Sequence, residues 1–130
     1  MASALFPQAP NNGHVSIATA NTNLDGTTGT YSATIITPGA NGTIVNSIYV
    51  KAKVTTTAGM VRFFSSDGTT TNLILELSVT AVTPSATVQS FSKMLTDTDF
   101  GNLVLKSGHT LKCSTEKAET FGVTLYGRDL

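Results

Sequence analysis

The strongest constraint on this chain is a stretch in which apolar residues fall on every second position. Ile44, Ile48, Val50, Ala52 and Val54 share one parity, and Ser47, Tyr49, Lys51 and Lys53 share the other. Successive side chains of an extended strand point to opposite faces, so this stretch carries one apolar face and one wet face. Helix competes poorly: β-branched residues dominate and no capping box precedes them. Asn46 sits on the apolar parity, which marks an end position or a bulge.

The same period recurs along the chain between breaks rich in Gly, Asn, Asp and Pro. Val15, Ile17 and Thr19 form one run, and Tyr31, Ala33 and Ile35 form the next, stopping at Pro38-Gly39-Ala40-Asn41-Gly42. Met60 to Phe64 and the run from Asn72, with Leu73, Leu75, Leu77 and Val79 on one parity, flank Asp67-Gly68, a hairpin signal. Val88 to Leu95 reads as a half-buried run, with Phe91 and Leu95 facing away from Val88 and Met94 and with its register left open by the pattern. Leu103 to Leu105, Leu111 to Ser114, and Phe121, Val123 and Leu125 alternating with Gly122, Thr124 and Tyr126 close the chain. The expected fold is all-β: a jelly-roll-like sandwich or small barrel of about eight or nine antiparallel strands.

A length of 130 residues suits one domain. Residues 14–130 are expected to form a single β-sandwich domain, preceded by an arm over residues 1–13. In that arm Pro7 and Pro10 lack backbone donors, and Asn11-Asn12-Gly13 has turn chemistry. Leu5 and Phe6 have no apolar partner nearby in sequence. Leu5, Phe6 and Pro7 are therefore candidate partner contacts, with a frayed terminus as the alternative.

Charge excludes one large class of function. Eight basic and eight acidic residues cancel, and the basic ones are scattered. A protein that grips phosphates needs clustered Lys and Arg, so nucleic-acid binding is not expected. No apolar run reaches the length of a membrane-spanning helix, and no membrane partner is expected. Met1 to Pro7 lacks the basic and apolar regions of a secretion signal. Cys113, the single cysteine, has no intrachain partner and reads as a small core residue rather than a reactive thiol.

Catalytic and metal patterns are not evident. His14 and His109 stand far apart, with no neighbouring ligand in sequence. Asp97 and Asp99 have calcium-like spacing without a third acidic ligand. There is no G-x-S-x-G elbow, no phosphate-binding loop and no selected carboxylate pair, so neither an enzyme nor a cofactor is expected. Tyr49, on the wet parity beside Lys51, is the best candidate for stacking on a sugar ring. Its alternative is an amphipathic side chain lying across the sheet.

Only 12% of residues are charged, and Thr and Ser occupy many outward strand positions. Such strands defend poorly against pairing with another chain, which favours edges covered by partner subunits. Several segments also resemble a family of small structural proteins of tailed bacteriophages. They are Pro38-Gly39-Ala40-Asn41-Gly42, Val45-Asn46-Ser47-Ile48, Thr56-Thr57-Ala58-Gly59-Met60-Val61-Arg62 and Ala118-Glu119-Thr120-Phe121. The resemblance implies a virion component made in the host bacterial cytoplasm. It implies in particular a capsid decoration protein, often trimeric, whose partners are its own copies and the major capsid protein. A receptor- or glycan-binding module of a tail or head fibre is the alternative, with a host-surface glycan as partner.

Overall fold

The computed structural model describes residues 8–130. The alternating stretch forms β2 (Thr43–Ala52), which lies inside a five-stranded antiparallel sheet. One edge of β2 pairs with β8 (Phe121–Asp129), which in turn pairs with β1 (Pro10–Ile17). The other edge is shared by two short strands: β5 (Ser92–Leu95) against Ile48 to Lys51, and β6 (Val104–Leu105) against Thr43 and Ile44. A second sheet has the order β4 (Thr71–Val79), β3 (Gly59–Ser66), β7 (Thr110–Thr115). Among the described residues there are eight strands, and no strand joins the two sheets into a closed barrel. The architecture is a sandwich.

The core fills the space between the sheets. Ile48, Val50 and Ala52 from β2 meet Phe121, Val123 and Leu125 from β8, and all are buried. Val61 and Phe63 from β3, Leu77 and Val79 from β4, and Leu111 and Cys113 from β7 close it from the other side. Removing this apolar surface from water is the main stabilising term, at roughly 25 cal/mol per Å².

Asn46 is the bulge residue. Val45 lies opposite Gly127 and Ser47 opposite Tyr126, so Asn46 is the extra residue on β2. A bulge inverts which parity faces inward. Beyond it Ile48 points to the core as the alternation requires; before it Thr43 and Val45 are the buried residues. Ile44, expected on the apolar face, is instead half-buried and shares its face with Arg128. A second bulge sits in β4. Phe63 pairs with Leu75 and Phe64 with Leu73, leaving Ile74 extra. Phe63 and Phe64 are both buried, on opposite faces of one sheet.

Three expectations change. The run Tyr31 to Ile35 is not a strand. It belongs to an irregular cover along β7, tied by the Asn21 N–H to the Thr115 carbonyl (2.8 Å), Ser32 to Cys113 (2.9 Å) and Ile35 to Leu111 (2.8 Å). Contacts so widely spaced do not make a ladder, yet they satisfy part of the β7 edge. Pro10 to Gly13, read from the sequence as part of the arm, pair with Leu125 to Arg128 of β8. Pro10 fits there because β1 lies at the end of the sheet order, where a missing donor is tolerated. The run from Val88 contributes a strand only from Ser92, and Asp97–Phe100 forms one helical turn, α1. At its start the Thr96 N–H donates to Asp99 Oδ2 at 2.9 Å.

Candidate interaction face

The outer face of the five-stranded sheet collects the residues opposite in parity to the core. Tyr49 lies cross-strand from Met94 on one side and Thr124 on the other. Tyr126 lies opposite Ser47, and Ile44 lies between Arg128 and Val104. Tyr49 and Ile44 are half-buried, while Met94, Val104 and Tyr126 are 47%, 52% and 42% exposed. Directly opposed residues on a sheet have Cβ atoms about 5 Å apart, so this face carries two apolar cross-strand pairs, Tyr49 with Met94 and Ile44 with Val104, separated along β2 by Asn46 and Ser47, with Tyr126 opposite Ser47.

A groove of about 570 Å³ runs along one end of this face. Its floor includes Ile44 and the Asn46 bulge, with Arg128 on one side and Asp97, Leu103 and Val104 on the other. The Val45 N–H donates to the Leu103 carbonyl at 2.9 Å, which holds the loop after α1 against β2. Arg128 and Asp97 are both exposed, and neither is in an ion pair among the described residues. The one ion pair there is Arg62 Nε with Glu76 Oε2, at 2.9 Å on the other sheet.

Of the four partner-contact residues expected from sequence, the structure places Tyr49 on this face. Leu5, Phe6 and Pro7 lie outside the described residues. Sequence reasoning did not single out Met94, Val104 or Tyr126 as contacts. Met94 and Tyr126 carried the usable signal, since both alternate against buried neighbours. Val104 carried none, because a two-residue strand has no period.

The other polar groups serve the scaffold. Asp25 accepts from the Thr27 and Thr28 backbone N–H groups at 3.0 and 2.9 Å, from Thr28 Oγ1 at 2.6 Å and from the Tyr31 hydroxyl at 3.2 Å. The Thr28 contacts above all hold its carboxyl well below the usual carboxylate range. Asp67 caps its hairpin by accepting from Thr69 and Thr70, and those backbone bonds lower its pKa. Asp129 Oδ1 accepts from Thr43 Oγ1 at 2.6 Å and Asn11 Nδ2 at 2.8 Å, binding β8, β2 and β1 together at one end. Cys113 is buried, and burial pushes its thiol up to about 12.

His14 Nδ1 lies 3.2 Å from Thr124 Oγ1, and His109 stands in the turn before β7 near Asp67. Asp97 and Asp99 are exposed in α1, and no group of three or more metal-type side chains occurs among the described residues. A smaller cleft of about 240 Å³ is lined by Ser16, Thr19, Thr30, Tyr31, Ser32 and Ser114, among others. Among the described residues no helix is long and apolar enough to cross a membrane.

No protein-family model and no curated protein matches this chain. Among solved structures, a pentameric capsid protein isolated from metagenomic phage sequences aligns with a TM-score of 0.38 and 18% identity. The alignment covers 90% of this chain and 60% of that one, so this chain spans less than two thirds of its neighbour. Overlap at that level is below what members of one fold share, and nothing about this chain follows from it.

Proposed function

We propose that this protein is a non-enzymatic structural component of a tailed-phage particle: a decoration protein that binds the outside of the head as an oligomer and stabilises it. The observation that carries the reading is the group of exposed apolar side chains, Met94, Val104 and Tyr126, on the outer face of the larger sheet beside half-buried Ile44 and Tyr49. The charge-poor strands and the resemblance of the turn and strand segments to phage structural proteins agree with it. The partners are further copies of the chain, in a homotrimer by that resemblance, and the major capsid protein.

The mechanism is mechanical. A rigid sandwich that presents exposed apolar side chains on one face makes several small contacts at once, and several linked copies multiply them. Subunits bridging neighbouring capsomers then resist outward pressure without any single strong bond. The test is co-sedimentation of purified protein with expanded heads that lack their decoration layer, followed by heating. Bound protein and a raised temperature of head rupture are expected. Protein that stays in the supernatant at micromolar concentration overturns the proposal.

The glycan-binding alternative gains nothing from the geometry around Tyr49. Its ring is half-buried between Met94 and Thr124 rather than free on a ledge. Binding on a glycan array that is lost in Tyr49→Ala would reinstate it.

A further inference from the structure

We infer that the outer face of the five-stranded sheet meets an acidic protein surface, with cations at its two ends taking carboxylates of the partner. This rests on that face being the contact to the phage head, and it adds the chemistry of what the face meets. The basic residues are scattered in the sequence, but the strand register gathers three of them here. Arg128 lies cross-strand from Ile44 at one end of the face, and Lys51 lies between Gly122 and Ser92 at the other. Lys53, just beyond β2, crosses the same side. Its Nζ lies 3.4 Å from Ser16 Oγ, and its chain runs over Gly122, where a Cβ would stand 3.3 Å from Lys53 Cε. None of the three is in an ion pair among the described residues.

The carboxylates are turned elsewhere. Eight acidic residues balance eight basic ones in the whole chain, so a side that gathers cations is a matter of placement. Asp129 is the one acidic residue in the described strands of this sheet. It pairs with buried Thr43, and its carboxyl accepts from Thr43 and Asn11. Asp97 stands across the groove from Arg128 without pairing with it. Between Ile44 and Lys51 the two ends of the face stand roughly 20 Å apart, at about 3.3 Å per strand residue. Tyr49, Met94 and Tyr126 lie between them.

This arrangement selects the occupant. Two copies laid face to face with strands aligned would set the lysine end on the lysine end or on the arginine end. Cation meets cation either way, so this face does not serve the contacts between copies. Nucleic acid asks for denser charge, since three cations spread over a sheet release few counterions. An acidic protein surface fits both parts: carboxylates answer the two ends, and apolar side chains cover the exposed Met94 and Tyr126.

The test measures binding of the whole chain to expanded, undecorated heads by co-sedimentation across a salt series, with oligomeric state read by light scattering. Binding of the native protein should weaken as salt rises from about 50 to about 300 mM, because the contact is ionic. Lys51→Glu, Lys53→Glu and Arg128→Glu should each weaken it by about tenfold or more. Lys117→Glu, at an exposed position between β7 and β8, should not. Circular dichroism and light scattering should show each variant folded and associated as the native protein is. Heads whose carboxylates have been capped with carbodiimide and ethanolamine should no longer take up the native protein.

Reversals that bind like the native protein, or capped heads that bind as well as untreated ones, overturn the acidic-partner contact and leave the virion reading standing. Reversals that break the oligomer overturn it too, since the face then joins copies. So does native protein that retards duplex DNA and loses this in the same variants. Native protein that ignores heads at every salt concentration defeats the virion reading itself, and the contact falls with it.

Discussion

Tyr31 stands edge-on to Phe64, with ring centroids 5.1 Å apart and ring planes at 86°. Phe64 belongs to β3 but points away from the main core, and Tyr31 belongs to the irregular cover that lies over that side of the sheet. Lys112 of β7 sets its Nζ 5.1 Å from the Tyr31 ring centroid, completing a small second core outside the sandwich. Phe64→Ala is expected to cost about 3–5 kcal/mol. Tyr31→Ala should couple to it by about 0.5–1.5 kcal/mol in a double-mutant cycle measured by urea unfolding. Strict additivity would show that the cover packs independently of Phe64.

The two sides of β2 and the burial gradient along β4 set a second scale. Ile48→Ala should cost about 2–5 kcal/mol, because Ile48 is fully buried. Alternation alone expects the same of Leu75, but Leu75 is half-buried on β4, a strand with one paired neighbour. Leu75→Ala should fall at or below the lower end of that range, near 2 kcal/mol. Lys51→Ala should change stability by less than about 0.5 kcal/mol. Denaturant midpoints that rank Lys51 with Ile48 would reverse the assignment of faces.

Asp129 links stability to pH. Its carboxyl is held below the ordinary value first by the Thr43 hydroxyl and then by the Asn11 amide. A group whose folded-state pKa is depressed adds stability that is present above its unfolded value, near 4, and is lost as pH falls through the folded value. Thermal unfolding from pH 6 downward should therefore show a falling melting temperature below about pH 4. Asp129→Asn should be less stable at pH 6 and show a shallower acid slope. An unchanged slope would mean that other carboxylates, Asp25 among them, carry the effect.

Cys113 should behave as core rather than as a reagent. Its thiol is buried, burial raises its pKa to about 12, and its Sγ lies 3.6 Å from Ser32 Oγ. Since the thiolate is the reactive form, labelling by an aromatic disulfide at neutral pH should proceed only through unfolding. The labelling rate should track the unfolding rate across a denaturant series. Fast labelling of the native protein would contradict the packing.

Gly13 is fixed by proximity rather than by a turn. A Cβ placed there would lie 1.8 Å from the Ile35 carbonyl oxygen, where the cover crosses β1. Gly13→Ala should push the cover away and destabilise the protein by about 1–3 kcal/mol. Hydrogen exchange at Ile35 and Ser32, whose N–H groups bond to β7, should accelerate in the same variant.

Local periodicity determined a good deal of this fold. The alternation of Ile48, Val50 and Ala52 against Tyr49 and Lys51 specifies a half-buried strand, and Phe121, Val123 and Leu125 do the same for β8. Asp67-Gly68 sets the hairpin between β3 and β4, and Asn46 showed itself as an irregularity because it broke parity. These features are legible because inward or outward orientation follows from the geometry of two neighbouring residues. The outer face was half-legible for the same reason: Tyr49 and Tyr126 could be assigned outward, but not to one surface, and the run of Met94 left its register open.

Tertiary structure decided the rest. Tyr31 to Ile35 alternates like a strand, yet it covers β7 and Phe64 because two spaced backbone bonds, from Ser32 and Ile35, and the packing of Ile35, Ile36 and Tyr31 satisfy it better there. Pro10 to Gly13 carries turn chemistry, yet it pairs with β8 at the end of a sheet that asks nothing of the proline nitrogen. Which strands become neighbours, and so which outward residues merge into a face, depends on closing loops between residues far apart in the chain. The free energy of those closures is set by the whole core, and no window of sequence contains it.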